Sequence, residues 1–207
     1  MTPTSSAPRS RQRLSEDQRR KQIMEAAVLE VADRGYEGAS LTRIAKRAGV
    51  AKGLIWHYFT DKDDLMESTA KRTMRVMHRH VVDMLDLGEP VPDIIRAAVR
   101  VAAGQIRTHR DELIALNRII HNLHSPDGTE QVTVDFYSEL YRAQEDLFRR
   151  GQAEGSLGDF DPTVMAVTYQ GSIDMMLMYF RDHPEVDPYD YADKLAEILL
   201  GGMRAKR

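Results

Sequence analysis

An all-α protein, with a small N-terminal domain joined to a larger C-terminal helical one, is the fold class this chain predicts, and three observations point to it. Apolar residues recur at helical spacing along nearly all of its 207 residues. No run of four or more alternating β-branched residues is bounded by hairpin signals. Charge is divided unevenly: residues 1–62 hold 12 Lys and Arg against 7 Asp and Glu, net +5, and the remainder holds 17 against 25, net −8. A basic segment on an acidic body is the footprint of a polyanion-binding module on a separate scaffold. With 42% hydrophobic residues, and no apolar run near the roughly 20 residues of a transmembrane helix, the chain reads as soluble and globular. The lack of cysteine excludes disulfides, thiolate metal sites and a cysteine nucleophile, and it fits a reducing, cytoplasmic location.

Residues 1–14 read as a disordered basic arm without the apolar stretch of a secretory signal. Its Arg9, Arg11 and Arg13 either follow a DNA minor groove or give only non-specific attraction. Residues 15–62 form the first expected domain. Its first helix runs from about Ser15 to Arg34, with Ile23, Ala27 and Val31 on one face and Gly35 as the stop. Ser40 caps a second helix with Ile44, Ala45 and Ala48 inward, and Gly49 ends it in a turn that tolerates left-handed backbone. A third helix covers about Lys52 to Phe59. Residues 63–207 form the second domain, entered by a long helix capped by Asp61 and reaching about Asp86. Gly88, Pro90 and Pro92 break the pattern, and further helices are expected near 92–108, 111–123, 126–153, 162–181 and 188–203.

The string SLTRIAKRAGVAKGLIWHYF is a capped helix, a Gly-Val turn and a short second helix, which needs the first helix as a third leg to bury its apolar face. Such a unit places its second helix in the major groove of DNA. Ile23, Ala26, Ala27, Gly35, Tyr36, Ile44, Ala45, Ala48, Gly49, Val50, Lys52, Gly53, His57, Tyr58, Phe59, Lys62 and Leu65 fall in one register. On these residues the segment 19–66 resembles the DNA-binding domain of the TetR family of bacterial transcriptional regulators. The resemblance implies a homodimeric repressor, released from its operator when a small molecule binds the C-terminal domain.

The DNA-facing candidates follow from their chemistry. Thr42 and Arg43 stand in the first turn of the second helix, where backbone N–H groups, a hydroxyl and a guanidinium meet phosphate or a groove edge. Lys52 opens the recognition helix, Gly53 permits close backbone approach, and Leu54 offers only apolar contact, as to a thymine methyl. Trp56, His57 and Tyr58 each carry a donor on an aromatic body, and Lys62 is a point charge for phosphate. Ala51 stands where the family often has serine, Leu54 where it is commonly polar, and Trp56 where tyrosine is usual; these departures bear on operator sequence.

In the C-terminal body, the helix near 126–153 carries Val132, Phe136, Leu140, Ala143 and Leu147 as a stripe. The helix near 162–181 is apolar nearly all round, so burial on more than one side is expected. The last two helices are the expected two-fold interface, or they simply complete a monomer core. For an effector with an apolar body and one or two polar groups, the candidate contacts are Met74, Met77, Arg118, His121, Tyr141, Asp174, Met175 and Met178. The run HYFTDKDDLMEST is similar to the choline-responsive branch of the family, which implies a tyrosine cage for a cation as a secondary possibility. His121 and His124 share a face with Asp127 nearby, yet surface histidines without a metal are expected; no metal, cofactor or membrane partner is predicted. Nucleotide-loop, zincin and nucleophile-elbow motifs do not occur, so enzyme readings have no starting point. An all-α carrier or hydrolase, and a TetR-like activator, remain the alternatives.

Overall fold

The computed structural model describes residues 14–123 and 137–204, and among these are nine helices and no strand. α1 (Glu16–Gly38) starts from a capping box, in which the Ser15 hydroxyl accepts from the Gln18 N–H and the Gln18 side chain accepts from the Ser15 N–H. Regular helix stops at Gly35, where φ is 76°, and a further turn carries the chain to Gly38. α2 (Leu41–Ala48) is capped by Ser40 and closed by Gly49 at φ 66°, as expected. α3 (Lys52–Tyr58) begins at Ala51 with no side-chain cap. α4 (Lys62–Asp83) is capped by Asp61, whose carboxylate accepts from the Asp64 N–H at 2.7 Å. It ends three residues short of the expected Asp86.

α5 (Val91–Thr108), α6 (Arg110–Ile120), α7 (Ser138–Ala153), α8 (Pro162–Asp182) and α9 (Pro188–Gly202) complete the chain. Asp161 and Asp187 cap α8 and α9, each followed by a proline in the first turn, where the missing N–H costs nothing. α6 stops before the expected residue 123; Leu140, Ala143 and Leu147 of α7 share one inward-facing side, with Ala143 solvent-accessible there, while Val132 and Phe136, like Arg9, Arg11 and Arg13, lie outside the described residues. No helix among the described residues is long and apolar enough to cross a membrane.

Two apolar cores result. The first gathers Ile23, Ala27 and Val31 of α1, Ile44 and Ala48 of α2, Ile55 and Phe59 of the α3 region, and Leu65, Met66 and Ala70 of α4. It also takes in Ala115, Ile119 and Leu123 from α6 and the residues after it, so a helix far along the chain closes the N-terminal domain. The second joins α5, α7, α8 and α9 around Val99, Phe148, Tyr169, Ile173 and Leu199. α4 and α6 are the two helices that belong to the first core and also face the interior of the C-terminal body.

Candidate nucleic-acid interface and internal cavity

The DNA-facing candidates occupy one side of the helix-turn-helix. On α3, Lys52, Gly53, Trp56 and His57 share the exposed face, while Ile55 and Phe59 are buried opposite. Thr42 and Arg43 are exposed at the start of α2. Trp56 keeps half of its surface in solvent, an unusual position for an indole, which commonly marks a contact surface. Leu54 and Tyr58 are half-buried, and Tyr58 packs on the first core with its ring edge-on to His57 at 5.0 Å.

The unit is tied to α1 from behind. Arg20 donates to the Tyr58 carbonyl and lies 4.4 Å from the centre of the Phe59 ring, and Gln22 donates to the Ala48 carbonyl at 2.7 Å. Arg47 bridges α2 to α1 through Glu30 at 2.6 Å and through Asp33. Two DNA candidates also hold internal contacts. Arg43 donates to the Gly38 carbonyl at 2.9 Å. Lys62 donates to the Tyr36 carbonyl at 2.9 Å and sits over that ring, while the Tyr36 hydroxyl donates to Asp63 at 2.7 Å. Among the described residues Lys52 carries no such tie, so the two lysines differ in kind: Lys52 is an exposed charge and Lys62 is partly structural.

The C-terminal body holds a partly open cavity of about 660 Å³ between α4, α5, α6, α7 and α8, with largely aliphatic walls. Met74, Met77, His121, Asp174 and Met178 line it. Three other candidates do not. Arg118 projects from the opposite side of α6, where it donates to the Val31 and Ala32 carbonyls of α1 at 2.9 and 2.8 Å. Met175 is 61% exposed on the outer face of α8, and Tyr141 stands beside the wall, stacked on Tyr137 at 5.7 Å. Spacing within one helical turn sets Arg118 beside His121 and Met175 beside Met178 in the sequence, but it does not say which way each side chain turns.

Polar wall residues outside the sequence candidates include Gln105, Tyr137, Gln144, Gln170, Arg110 and Arg181. A signal existed for some of them, since Gln170, Asp174 and Arg181 recur at helical spacing along an otherwise apolar helix. Gln144 donates to Gln170 at 2.7 Å, and Gln170 donates to Asp174 at 2.8 Å. Gln144 Oε1 is buried without a hydrogen-bond partner among the described residues. Burial raises the Asp174 carboxyl above its ordinary range, against the opposing pull of hydrogen bonds from Gln170 and Tyr137. Burial and the Asp174 charge together raise the Tyr137 phenol, and burial lowers the His78 imidazole. Arg110 and Arg181 border both this cavity and a smaller hollow of about 190 Å³ that Arg107 and His183 also line.

Of the suggested metal set, His124 and Asp127 lie outside the described residues. His121 is engaged with the Asn117 carbonyl at 2.8 Å, and no cluster of three possible metal ligands occurs among the described residues.

Known proteins match both halves of the chain. The family of bacterial regulatory proteins named for tetR matches residues 23–69, and the tetracyclin repressor-like C-terminal domain matches residues 88–203. The HTH-type transcriptional regulator BetI of Yersinia pestis is 44% identical over 79 residues, 38% of this chain and 35% of that protein. BetI of Pectobacterium carotovorum is 47% identical over 53 residues, 26% of this chain and 27% of that one. The chain thus spans about a third or less of the length of these curated relatives. Among solved structures, the fatty acid degradation regulator FadR of Bacillus halodurans superposes with a TM-score of 0.76 at 21% identity, covering 94% of this chain and 100% of that one. FadR of Bacillus subtilis in complex with stearoyl-CoA gives 0.71 at 19% identity, covering 89% and 99%. AibR in complex with isovaleryl coenzyme A and operator DNA gives 0.67 at 21%, covering 88% and 98%. At these identities the likeness is one of fold.

Proposed function

This chain belongs to the TetR family of bacterial transcriptional regulators, and from that footing we propose that it is a homodimeric, cytoplasmic repressor that leaves its operator when an apolar effector fills the C-terminal cavity. The observation that carries the proposal is the sharing of α4 and α6 between the two parts. Each packs in the core beneath the recognition helix and each lines the cavity, so a ligand that moves either one moves the DNA-facing unit. Family membership favours regulation over the carrier or hydrolase reading.

The DNA contacts are those of Thr42, Arg43, Lys52, Gly53, Leu54, Trp56, His57, Tyr58 and Lys62, with the two recognition helices of a dimer set for successive major grooves about 34 Å apart. For the dimer, α8 and α9 supply a surface of exposed Val164, Val167, Met175 and Ile198, too apolar to leave in water across two neighbouring helices. For the effector, the cavity suits an apolar body with an anionic head. Arg110 has no carboxylate partner among the described residues and stands at one boundary of the cavity beside Arg181, whose own guanidinium is paired with Asp182 at 2.8 and 2.9 Å, so Arg110 is the cation left for that head. The coenzyme A esters bound to two structural neighbours have this form.

The test is fluorescence anisotropy with the DNA flanking the reading frame, against random DNA at the same salt, with and without stearoyl-CoA and shorter acyl-CoA esters. The expected specific-to-random ratio is about 10³ or more, and it should fall with an ester that binds. A ratio near one on flanking DNA and on DNA selected from random sequence would reject the repressor reading. Equal affinity with and without a ligand shown to occupy the cavity would reject release.

A further inference from the structure

We propose that Asp174 is a receiving point for a hydroxyl group on the buried part of the effector, so that the effector class is a hydroxylated apolar acid or its ester rather than a plain hydrocarbon chain. This rests on the cavity being the effector site.

Asp174 and Arg181 lie on the cavity side of α8, seven residues and therefore roughly 10 Å apart along the axis. Arg110, beside the Asp182-paired Arg181, suits an anionic head; a carboxylate two turns away along α8 repels one, so the two positions read different parts of one molecule.

The hydrogen-bond directions follow from donor and acceptor chemistry alone. An ionised carboxylate only accepts, so Gln170 must turn its amide N–H to Asp174, as it does at 2.8 Å. Gln170 Oε1 then faces Gln144, which must donate to it, as it does at 2.7 Å. This relay and Tyr137 hold the carboxyl in place but use only part of its acceptor capacity, about four lone-pair sites. No Lys, Arg or His forms an ion pair with Asp174 among the described residues.

Hydrocarbon packed against this group would strip its water and return no hydrogen bond, whereas a hydroxyl replaces the displaced partner. A site built around a hydroxyl discriminates strongly against the analogue that lacks it. Burial holds the Asp174 proton more tightly than usual, and a hydroxyl pairs with either protonation state because it both donates and accepts. An ammonium only donates, and its own desolvation costs far more.

The experiment is calorimetric titration of the full chain with decanoic acid, ω-hydroxydecanoic acid and ω-aminodecanoic acid, repeated on Asp174→Leu and Asp174→Asn. The expected result is binding of the hydroxy acid about tenfold or more tighter than decanoic acid. Asp174→Leu should abolish that preference and Asp174→Asn, which keeps an acceptor for Gln170, should retain most of it. Equal binding of the hydroxy acid and decanoic acid by the wild-type protein overturns the proposal while leaving the cavity as an effector site. So does tighter binding of the amino acid analogue, or a preference that survives Asp174→Leu. Failure of all three probes to bind overturns this inference, and the cavity reading falls with it if stearoyl-CoA and the shorter acyl-CoA esters also fail to bind. The wild-type comparison needs neither variant to fold.

Discussion

Arg118→Ala is the substitution that most directly separates a structural contact from a transmitting one. Arg118 leaves the side of α6 away from the cavity and gives two hydrogen bonds, 2.9 and 2.8 Å, to the Val31 and Ala32 carbonyls near the end of the regular part of α1. Its neighbours Asn117 and His121 line the cavity. A guanidinium there meets the negative end of the helix dipole as well as two carbonyls. A hydrogen bond to a charged group contributes about 1.5–3 kcal/mol, and this one is only half-buried, so the pair together is taken as about 2 kcal/mol. For a chain of this size that lowers Tm by about 4–8 °C. If the same contact carries α6 movement to α1, the coupling between effector and operator falls as well. Typical couplings are about 1–3 kcal/mol, so a loss of about 1 kcal/mol reduces the release ratio about fivefold. Operator affinity would be measured by anisotropy with and without a saturating acyl-CoA that releases the wild-type protein, beside a thermal melt. A lowered Tm with an unchanged release ratio would refute the transmission argument and leave Arg118 as a structural tie.

Three further outcomes follow from the same geometry. Lys52→Ala should leave Tm unchanged and lower the slope of log affinity against log salt by about 0.9 for each phosphate that this lysine neutralises, whereas Lys62→Ala, which also strips the Tyr36 contact, should lower both affinity and Tm; an unaltered salt slope in Lys52→Ala removes that residue from the interface. Ile198 is 72% exposed, so Ile198→Glu should cost the single chain within about 0.5 kcal/mol yet shift sedimentation from dimer to monomer, and a persisting dimer would rule out this face of α9. Asp174 has a raised pKa, so the folded chain holds that proton more tightly than the unfolded one, and this contribution to stability declines as pH rises from about 4 through the raised value. Asp174→Asn removes the dependence; identical pH profiles of chemical denaturation for the two proteins would contradict the burial of this carboxyl.

The N-terminal unit was legible because its signals are local. Ser15, Ser40 and Asp61 cap helices by accepting from the N–H three residues on, and Gly35 and Gly49 adopt the positive φ that ends α1's regular part and α2. The exposed face of α3 follows from the spacing of Ile55 and Phe59, since a short helix with two buried positions has only one side left for a partner. Family membership was readable for the same reason: caps, turn and aromatic run sit at fixed offsets within one short stretch.

The C-terminal body was legible only as helices. Asp174 announced itself as a carboxyl amid apolar residues, but its partner Tyr137 and the Gln144 that donates to Gln170 behind it come from the residue before α7 and from α7, and no spacing along α8 reveals them. Arg118, Asn117 and His121 share one stretch of α6 in the sequence, yet packing turns Asn117 and His121 to the cavity and Arg118 to α1. Likewise Met175 and Met178 belong to the same apolar run, yet one faces outward and the other lines the cavity. Local order along the chain was enough to specify helix ends, the helix-turn-helix and the family, because backbone hydrogen bonding and side-chain periodicity act over a few residues. Which neighbour each buried face meets was decided by the tertiary structure, because helical periodicity encodes burial but carries no record of the surface against which a face is buried. The placing of α6 between the N-terminal core and the cavity, the walls of that cavity and the relay ending at Asp174 are all of that second kind.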